Sequence, residues 1–280
     1  MNILLLGATG CFGTAFAAAC EGRPVSLIPL SHRDIDVTDR DAVRSVIDTH
    51  KPDVVVNAVA IVDMNFCEDN PDAAFAVHGS AALAMARACA ERDAVFVQTS
   101  THAVFDGLKE TPYTEDDVPN PRNVYAASKY VAERFAANLC PRHYVVRFPT
   151  LFGARRNASM GFVDKARKWL DEGRELNIAD DRIDSVTYAR DAADRVAGML
   201  LGGAPFGLYH VANHGAVSYF DFICAYRDML GLGNTIRRAK DGDFPSKGMK
   251  SVRTALSSVR GRPLRPWQDA LRAYVDNGEG

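Results

Sequence analysis

A tyrosine and a lysine four positions apart, Tyr125 and Lys129, are the residues of this sequence best suited to acid–base chemistry. Side chains four residues apart lie on one face of a helix, where a lysine ammonium lowers the pKa of a neighbouring phenol. Such a tyrosine can give a proton to a carbonyl oxygen while a hydride reaches the carbonyl carbon. Thr101 follows a predicted strand, and its hydroxyl either donates to the same oxygen or is an ordinary strand-end hydroxyl. We therefore predict Thr101, Tyr125 and Lys129 as the catalytic residues of a carbonyl reduction.

Three glycines with the spacing Gly7-x-x-Gly10-x-x-Gly13 lie between a short apolar run and an alanine-rich stretch. Glycine lets the backbone turn tightly and approach a pyrophosphate, and the N–H groups of a following helix point at the anion. A tight strand-to-helix turn without a ligand is the alternative for a glycine triplet. The position of this triplet between a predicted strand and a predicted helix favours a dinucleotide-binding turn.

The residues after the second predicted strand indicate which dinucleotide is bound. An acid at the end of that strand favours NAD, and a nearby arginine favours the 2′-phosphate of NADP. Here the strand runs through Leu30 into Ser31-His32-Arg33, with no acid at its end. We expect NADP(H) to be preferred and NAD(H) to be the alternative, with Arg33 either at the 2′-phosphate or solvated in its loop.

The first half of the sequence alternates apolar runs with helix-like stretches, which predicts strands and helices in alternation. The strand candidates are Ile3–Leu6, Val25–Ile28, Val54–Val56, Val95–Gln98 and Tyr144–Arg147. The helix candidates in this half are Phe12–Cys20, Asp39–His50, Asp72–Arg92 and Tyr125–Asn138. This order is typical of an α/β Rossmann fold, a doubly wound parallel sheet with right-handed crossovers. We expect an NAD(P)-binding domain over residues 1–150 and a smaller, mainly substrate-binding C-terminal lobe over 151–280, of which about 186–215 return to the Rossmann core.

Composition and charge exclude several classes of protein. The chain has 280 residues, 47% of them hydrophobic and 24% charged, which is typical of a folded globular protein. A net charge of −2 gives no electrostatic reason to expect nucleic acid or anionic lipid as a partner. No apolar run reaches the ~18 residues of a membrane span, and no cysteine spacing is typical of zinc. We therefore expect a cytoplasmic protein with reduced thiols and without a membrane, nucleic-acid or metal partner.

These motifs resemble those of the extended short-chain dehydrogenases, and several stretches resemble more narrowly the dTDP-4-dehydrorhamnose reductase family. The stretches are Asp36-Val37-Thr38-Asp39, Lys51–Ala58, Val104-Phe105-Asp106-Gly107, Pro121–Tyr125 and Gly207–Ala212. The resemblance implies that the cofactor contacts Gly7, Gly10, Cys11, Phe12, Gly13, Asp36, Val37, Ala58, Val59, Ala60, Thr99, Tyr125 and Lys129. It also implies NAD(P)H-dependent reduction of the 4-keto group of a nucleotide-activated deoxysugar, within polysaccharide biosynthesis.

The sequence departs from this family where side chains are expected to face the sugar. After the catalytic threonine the family usually has Asp-Tyr, and this chain has His102-Ala103. After a later strand the family usually has Arg-Thr-Ser-Trp, and Thr150 stands in place of the Trp. Arg182 aligns with a segment near the nucleotide-sugar site of the family. We therefore predict Thr101, His102, Thr150 and Arg182 as substrate residues in a roomier and differently polar pocket. His102 either binds substrate or relays a proton, or it is a structural histidine that fills the space of the missing Asp.

One further departure from the family concerns a metal ion and a dimer partner, and two further arginines are candidates for binding substrate. Ala15 stands where some family members carry a glutamate that helps bind magnesium at a dimer interface, so no metal site is expected and a homodimer stays open. Arg155 and Arg156, like Arg182, are either grips for a substrate diphosphate or solvated surface charges.

Two other functions fit the same motifs. One is an epimerase or dehydratase of the same superfamily, which would hold NAD tightly through each turnover. The other is a non-catalytic NADP-binding regulatory subunit, as in the regulatory subunit of methionine adenosyltransferase, which resembles the same family. The complete set of Thr101, Tyr125 and Lys129 favours a reductase, and the sugar and its nucleotide stay open.

Overall fold

The computed structural model describes residues 1–279, which contain twelve strands and ten α-helices joined by loops and short turns. The strands are β1 (Asn2–Leu6), β2 (Ser26–Leu30), β3 (Val54–Asn57), β4 (Val95–Thr101), β5 (His143–Phe148), β6 (Leu151–Phe152), β7 (Leu176–Ala179), β8 (Ile183–Asp184), β9 (Thr187–Tyr188), β10 (Gly207–His210), β11 (Val217–Ser218) and β12 (Ile236–Ala239). The helices are α1 (Cys11–Cys20), α2 (Arg40–His50), α3 (Met64–Asp69), α4 (Pro71–Phe75), α5 (Ala81–Glu91), α6 (Val124–Leu139), α7 (Phe162–Asp171), α8 (Ala189–Leu201), α9 (Tyr219–Met229) and α10 (Trp267–Asp276).

Six of these strands form one sheet in the order β2-β1-β3-β4-β5-β10. Every neighbouring pair in this sheet is parallel. The direction of the chain through the sheet reverses between β1 and β3, because β2 lies on one side of β1 and all later strands lie on the other. Ligands of such sheets bind beyond the carboxyl ends of the strands at this reversal, called the switch point. The predicted Rossmann sheet is confirmed.

Helices cover both faces of the sheet because its strands are apolar on both sides. In β1, Ile3 and Leu5 pack with α1 and α8, while Leu4 and Leu6 pack with α2 and α5. Helix α8 comes from the second half of the chain, yet its Ala192 and Val196 lie in the same buried cluster as α1. The first half of the sheet is therefore covered partly by residues that come long after it in sequence.

The alanine-rich stretch predicted as one helix, Asp72–Arg92, is interrupted. Helices α4 and α5 are joined by a π-helical turn at Ala76–Ser80, a wider turn that is frequent at functional sites. The continuous stretch Pro71–Glu91 is long and apolar enough to cross a membrane, but half of its apolar window is buried inside the protein. Its contacts with α2 and α6 identify it as a core helix of the Rossmann half.

A second lobe is built from α7, α9 and α10 with the short strands around them. Its core is aromatic, and Phe152, Tyr188, Phe222, Trp267 and Tyr274 lie in one cluster. The strands β6, β8, β9 and β11 contain two residues each, too few to show a repeating pattern in the sequence. Helix α3 has only six residues and was also not predicted.

A buried ion pair joins helix α6 to the centre of the sheet. The Glu133 carboxylate accepts from Nε and Nη2 of Arg147 at 2.8 and 2.6 Å, and both side chains are at most 5% exposed. The Ser100 hydroxyl also donates to Glu133, and the Arg147 guanidinium lies 5.0 Å from the ring centre of Phe105. The pair fixes the middle of α6 against β4 and β5, one turn after Lys129.

We expect Arg147→Met to leave the Glu133 charge buried without its partner and to lower the free energy of unfolding by ~3–5 kcal/mol. The double variant Glu133→Gln/Arg147→Met removes both charges and should regain most of that loss. Urea unfolding of the three proteins measures this. Equal destabilisation in the single and double variants would contradict an important role for charge pairing.

Candidate active site

The glycine turn lies at the switch point between β1 and β3, and two of its glycines cannot be replaced without moving backbone. Gly7 has φ +84°, and a Cβ on it would lie 2.8 Å from backbone atoms of Ala58. A Cβ on Gly13 would lie 2.2 Å from the carbonyl oxygen of Gly7. Gly10 differs, since its Cβ would meet that oxygen at an ordinary 3.6 Å. The turn therefore holds α1 tightly against the ends of β1 and β3.

The N-terminus of α1 is open to an anion. Gly10 is its N-cap residue and provides no side chain to bond the first amides, and the first turn carries no acid. Burial raises the pKa of the Cys11 thiol to about 12, and this neutral thiol donates to the carbonyl of Gly153 at 3.6 Å. The Phe12 ring packs on Phe148 with ring centres 4.7 Å apart. Cys11 and Phe12 thus commit their side chains to packing and leave only backbone amides for a ligand.

A cleft of about 430 Å³ opens beyond the ends of β1, β2 and β3, a volume usual for ligand sites. It is lined by seven of the predicted cofactor residues, Gly7, Gly10, Asp36, Val37, Ala58, Val59 and Ala60. Seven residues that sequence reasoning missed also line it, namely Thr9, Ser31, His32, Ile35, Ile61, Val77 and Asn157. Most of the missed residues are sequence neighbours of predicted ones. The sequence therefore identified the loops that line the cleft, but not which of their side chains face it.

The loop after β2 orients its polar groups in a way that the sequence did not reveal. Arg33 is exposed and does not line the cleft, whereas its neighbour His32 does. The Asp34 carboxylate accepts from the amide and hydroxyl of Ser31 at 2.8 and 2.7 Å. Asp36 in the same way accepts from the amide and hydroxyl of Thr38 at 2.9 and 2.7 Å. Both acids of this loop are therefore bonded within the loop itself.

Two of the three predicted catalytic residues, Thr101 and Tyr125, lie close together at the carboxyl edge of the sheet, and Lys129 follows one turn later on α6. Strand β4 extends to Thr101, three residues beyond its predicted end, because the pairing with β5 continues to Phe148. The Thr101 hydroxyl lies near the Tyr125 phenol, whose pKa it lowers, and accepts from the amide of Ala103 at 3.1 Å. Asn123 caps α6, so Tyr125 and Lys129 occupy its first turns. Thr99, predicted at the cofactor, instead donates its hydroxyl to the carbonyl of Asn57 at 2.8 Å.

Burial sets the protonation of the tyrosine and the lysine. Burial raises the pKa of Tyr125 to about 12, against the opposing effect of the hydrogen bond with Thr101. Burial lowers the pKa of Lys129 to about 8, against the opposing charge of Glu133. At neutral pH both groups therefore carry their protons, and Tyr125 can act as a proton donor at this edge.

A buried histidine that sequence reasoning missed connects the cofactor loop to the catalytic helix. His78, in the π turn, accepts from the amide of Ile61 through Nε2 at 2.9 Å. Its Nδ1–H therefore donates to the Ser128 hydroxyl at 2.7 Å, and Ser128 donates to the carbonyl of Tyr125 at 2.9 Å. Burial lowers the pKa of His78 to about 3, so the ring stays neutral. Its sequence signal is a single histidine inside an alanine-rich run.

On the substrate side, an aspartate joins two of the predicted residues. Asp184 in β8 accepts from Nδ1 of His102 at 2.9 Å and from the amide of Thr150 at 3.0 Å. The amide of Ser185 donates to the same carboxylate at 2.8 Å. Burial raises the pKa of Asp184, but the interactions with His102 and Thr150 outweigh burial and lower it below its ordinary value. The Thr150 hydroxyl lies 2.6 Å from the Tyr219 hydroxyl.

The predicted arginines occupy different surroundings. The Arg182 guanidinium lies 4.9 Å from the ring centre of Tyr219 and pairs with Asp241 at 3.2 Å. Arg155 pairs with Asp164 at 3.0 Å, which leaves it little freedom to grip a ligand. Arg156 is exposed, and its amide donates to the carbonyl of Thr9 in the glycine turn at 2.9 Å. Of the three, Arg182 alone adjoins the residues around Thr150.

A parallel sheet with a glycine turn at its switch point, and a Tyr–Lys pair at the same edge, define the extended short-chain dehydrogenase class. Its members share the arrangement of β1, α1 and α6 described above. The chain belongs to the RmlD substrate binding domain family, whose profile matches residues 1–279. The resemblance expected from the sequence is confirmed.

Individual relatives match over nearly the whole chain. A dTDP-4-dehydrorhamnose reductase of Streptomyces griseus is 34% identical, over 96% of this chain and 91% of that protein. The crystal structure of a dTDP-4-dehydrorhamnose reductase from Clostridium acetobutylicum has a TM-score of 0.94 at 27% identity and covers 100% of both chains. The structure of that enzyme from Bacillus anthracis in complex with NADP has a TM-score of 0.92 at 22% identity and covers 99% of both chains.

Two alanine variants in the glycine turn test how tightly it packs against α1. We expect Gly13→Ala to destabilise the protein, because the new methyl group would overlap the carbonyl of Gly7 and force α1 away from the turn. We expect Gly10→Ala to melt near the native temperature, because its Cβ meets only ordinary contacts. Thermal unfolding compares the two. A Gly13→Ala protein as stable as Gly10→Ala would show that α1 is not held as described.

Proposed function

We propose that this protein uses NADPH to reduce the 4-keto group of a nucleotide-linked 6-deoxyhexose, with dTDP-4-dehydrorhamnose as one candidate substrate. The observation that carries the proposal is the closeness of Thr101 and Tyr125 at the carboxyl edge of the sheet, with Lys129 one turn further along α6. The family and the named reductases among its relatives support the same chemistry.

Each residue at this edge has a separate role in the proposed ketone reduction. NADPH supplies the hydride when bound. The backbone amides at the start of α1 hold a pyrophosphate, and Lys129 holds the nicotinamide ribose. Thr101 and Tyr125 hold the keto oxygen by their hydroxyls, and Tyr125 gives it the proton that completes the alcohol. The ammonium of Lys129 stabilises the phenolate that Tyr125 becomes.

The loop after β2 supports NADPH over NADH. Leu30 ends the strand, so no acid is positioned there for a ribose 2′-hydroxyl. Asp34 and Asp36 are occupied by Ser31 and Thr38. Arg33 has an exposed side chain beside the cleft-lining His32, from which it can fold over a 2′-phosphate.

The second lobe is proposed to supply the sugar pocket. In this division residues 1–150 bind the dinucleotide, and residues 151–280 mainly bind substrate, with about 186–215 returning to the Rossmann half. His102, Thr150 and Arg182 face the sugar nucleotide, in a pocket that small side chains at Ala103 and Thr150 leave roomier. The cytoplasmic location and the homodimer stay predictions.

Replacing the proton donor tests the proposal. We expect Tyr125→Phe to lower turnover by roughly 100-fold or more and to leave NADPH affinity nearly unchanged, because only a positioned acid is lost. Tyr130→Phe, on the same helix and away from Thr101, is the matched control and should keep native turnover. NADPH oxidation is followed with dTDP-, UDP- and GDP-linked 4-keto-6-deoxy sugars.

Two outcomes of that assay would contradict the proposal. Near-native turnover of Tyr125→Phe would remove Tyr125 from the role of proton donor. No turnover of any 4-keto sugar by the native protein, together with tight binding of another protein, would favour the regulatory-subunit function.

The cofactor preference has its own test. We expect Arg33→Ala to weaken NADPH binding selectively, because the lost cation is the partner of the 2′-phosphate. NADH binding should change little, and Arg40→Ala, an exposed arginine at the start of α2, should affect neither. Fluorescence titration with both nucleotides measures this, and equal native affinities for NADPH and NADH would reject the preference.

A further inference from the structure

His102 and Asp184 form a histidine–carboxylate pair that the ketone reduction described above does not use. Asp184 is 1% exposed and accepts from His102, Ser185 and Thr150. An ionised carboxylate can only accept hydrogen bonds. The Nδ1 atom of His102 therefore carries the proton of the bond to Asp184. In a neutral ring Nε2 is then left with a lone pair.

The Nε2 atom of His102 is free to act on a ligand. Within residues 1–279 it has no hydrogen-bond partner, and it is not among the polar atoms sealed from solvent. A tenth of the His102 side chain is accessible. A ring held at one nitrogen and open at the other is the arrangement of a general base.

The pair lies beside the position proposed for the keto group. His102 directly follows Thr101, whose hydroxyl lies near the Tyr125 phenol. On its other side, Asp184 is bonded to Thr150, at the position expected to face the sugar. A C–H bond next to a ketone becomes acidic when donors hold the ketone oxygen, because the oxygen takes up the charge of the enolate.

We propose that His102, oriented by Asp184, exchanges the proton on a carbon next to the keto group and so gives this reductase an epimerase activity. His102 Nε2 takes the proton, and the electron pair of the C–H bond forms the C=C bond of an enolate whose negative oxygen is held by Thr101 and Tyr125. The enolate takes a proton back on the same carbon. Return to the same face restores the sugar, and return to the opposite face from solvent or a second donor inverts that carbon. No electrons are gained or lost, so the step needs no oxidant or reductant.

A hydrogen bond that only joined the two lobes would need a donor at the position of Nδ1 and nothing at the position of Nε2. The bond from His102 in the Rossmann half to Asp184 in the second lobe ties the two lobes together. An asparagine can donate the same bond from a position close to Nδ1, but it has no atom at the position of Nε2. The substitution His102→Asn therefore separates a bridge from a base.

The proposal rests on the proposed function, and hydrogen exchange tests it apart from hydride transfer. The protein is incubated in D2O with NADP+ and dTDP-4-keto-6-deoxyglucose, and deuterium at C3 and C5 is measured by NMR and mass spectrometry. A second incubation with NADPH measures reduction of the same sugar. A blank without protein gives the spontaneous exchange.

We expect the native protein to catalyse deuterium uptake at C3 or C5. His102→Asn and Asp184→Asn should lower the ratio of the exchange rate to the reduction rate by about 100-fold, the usual effect of losing a positioned base. His50→Asn, which changes an exposed histidine at the end of α2, should keep the native ratio. Added imidazole should restore part of the exchange in His102→Ala, which a structural role would not produce.

The outcomes separate the two proposals. Reduction without exchange above the blank, or exchange in which NMR finds neither C3 nor C5 inverted, overturns the epimerase activity and leaves the reductase intact. Exchange without reduction overturns the reductase and keeps the acid–base role of His102. Native exchange in His102→Asn would assign the proton transfer to another residue and overturn the proposal, and absence of both reactions would overturn both.

Discussion

The position of the residues predicted to be catalytic depends on the buried pair of Glu133 and Arg147. Two charges removed from water must stay paired, so α6 cannot shift along β5 without exposing one of them to an apolar core. Ser100 brings the end of β4 into the same network, one residue before Thr101. Glu133 also opposes the effect of burial on the pKa of Lys129, one helical turn away. One interaction therefore holds this edge in place and also opposes the loss of charge that burial favours at Lys129.

The proposed dinucleotide side and the proposed substrate side of the site are built in different ways. The dinucleotide side is mostly backbone, held by close contacts at Gly7 and Gly13 that exclude any side chain. His78 adds a hydrogen-bonded connection from the loop at Ile61 to the helix of Tyr125. The substrate side is mostly side chains, centred on Asp184. Backbone geometry suits a cofactor shared across a fold class, while side chains can change with the substrate.

The sequence predicted the elements that carry local patterns and missed those that depend on distant contacts. Apolar runs and the glycine spacing located the central strands, because burial on both faces imposes composition over several adjacent residues. Asp184 was missed because its partner His102 lies 82 residues away, and nothing near Asp184 marks it as buried. The π turn at His78 and the inward side chain of His32 depend on packing in the same way. Two-residue strands such as β8 are too short to leave a pattern.

The packing of α8 has a consequence for how the chain is made. Synthesis on the ribosome releases residues 1–150 first, with β1 to β5 and α1 complete. The face of α1 that α8 covers is still bare at this stage, and the edge of β5 has no β10 to pair with. A nascent chain therefore holds an apolar surface and an open strand edge until residue 210 has emerged, and a fragment cut at residue 150 would keep both permanently.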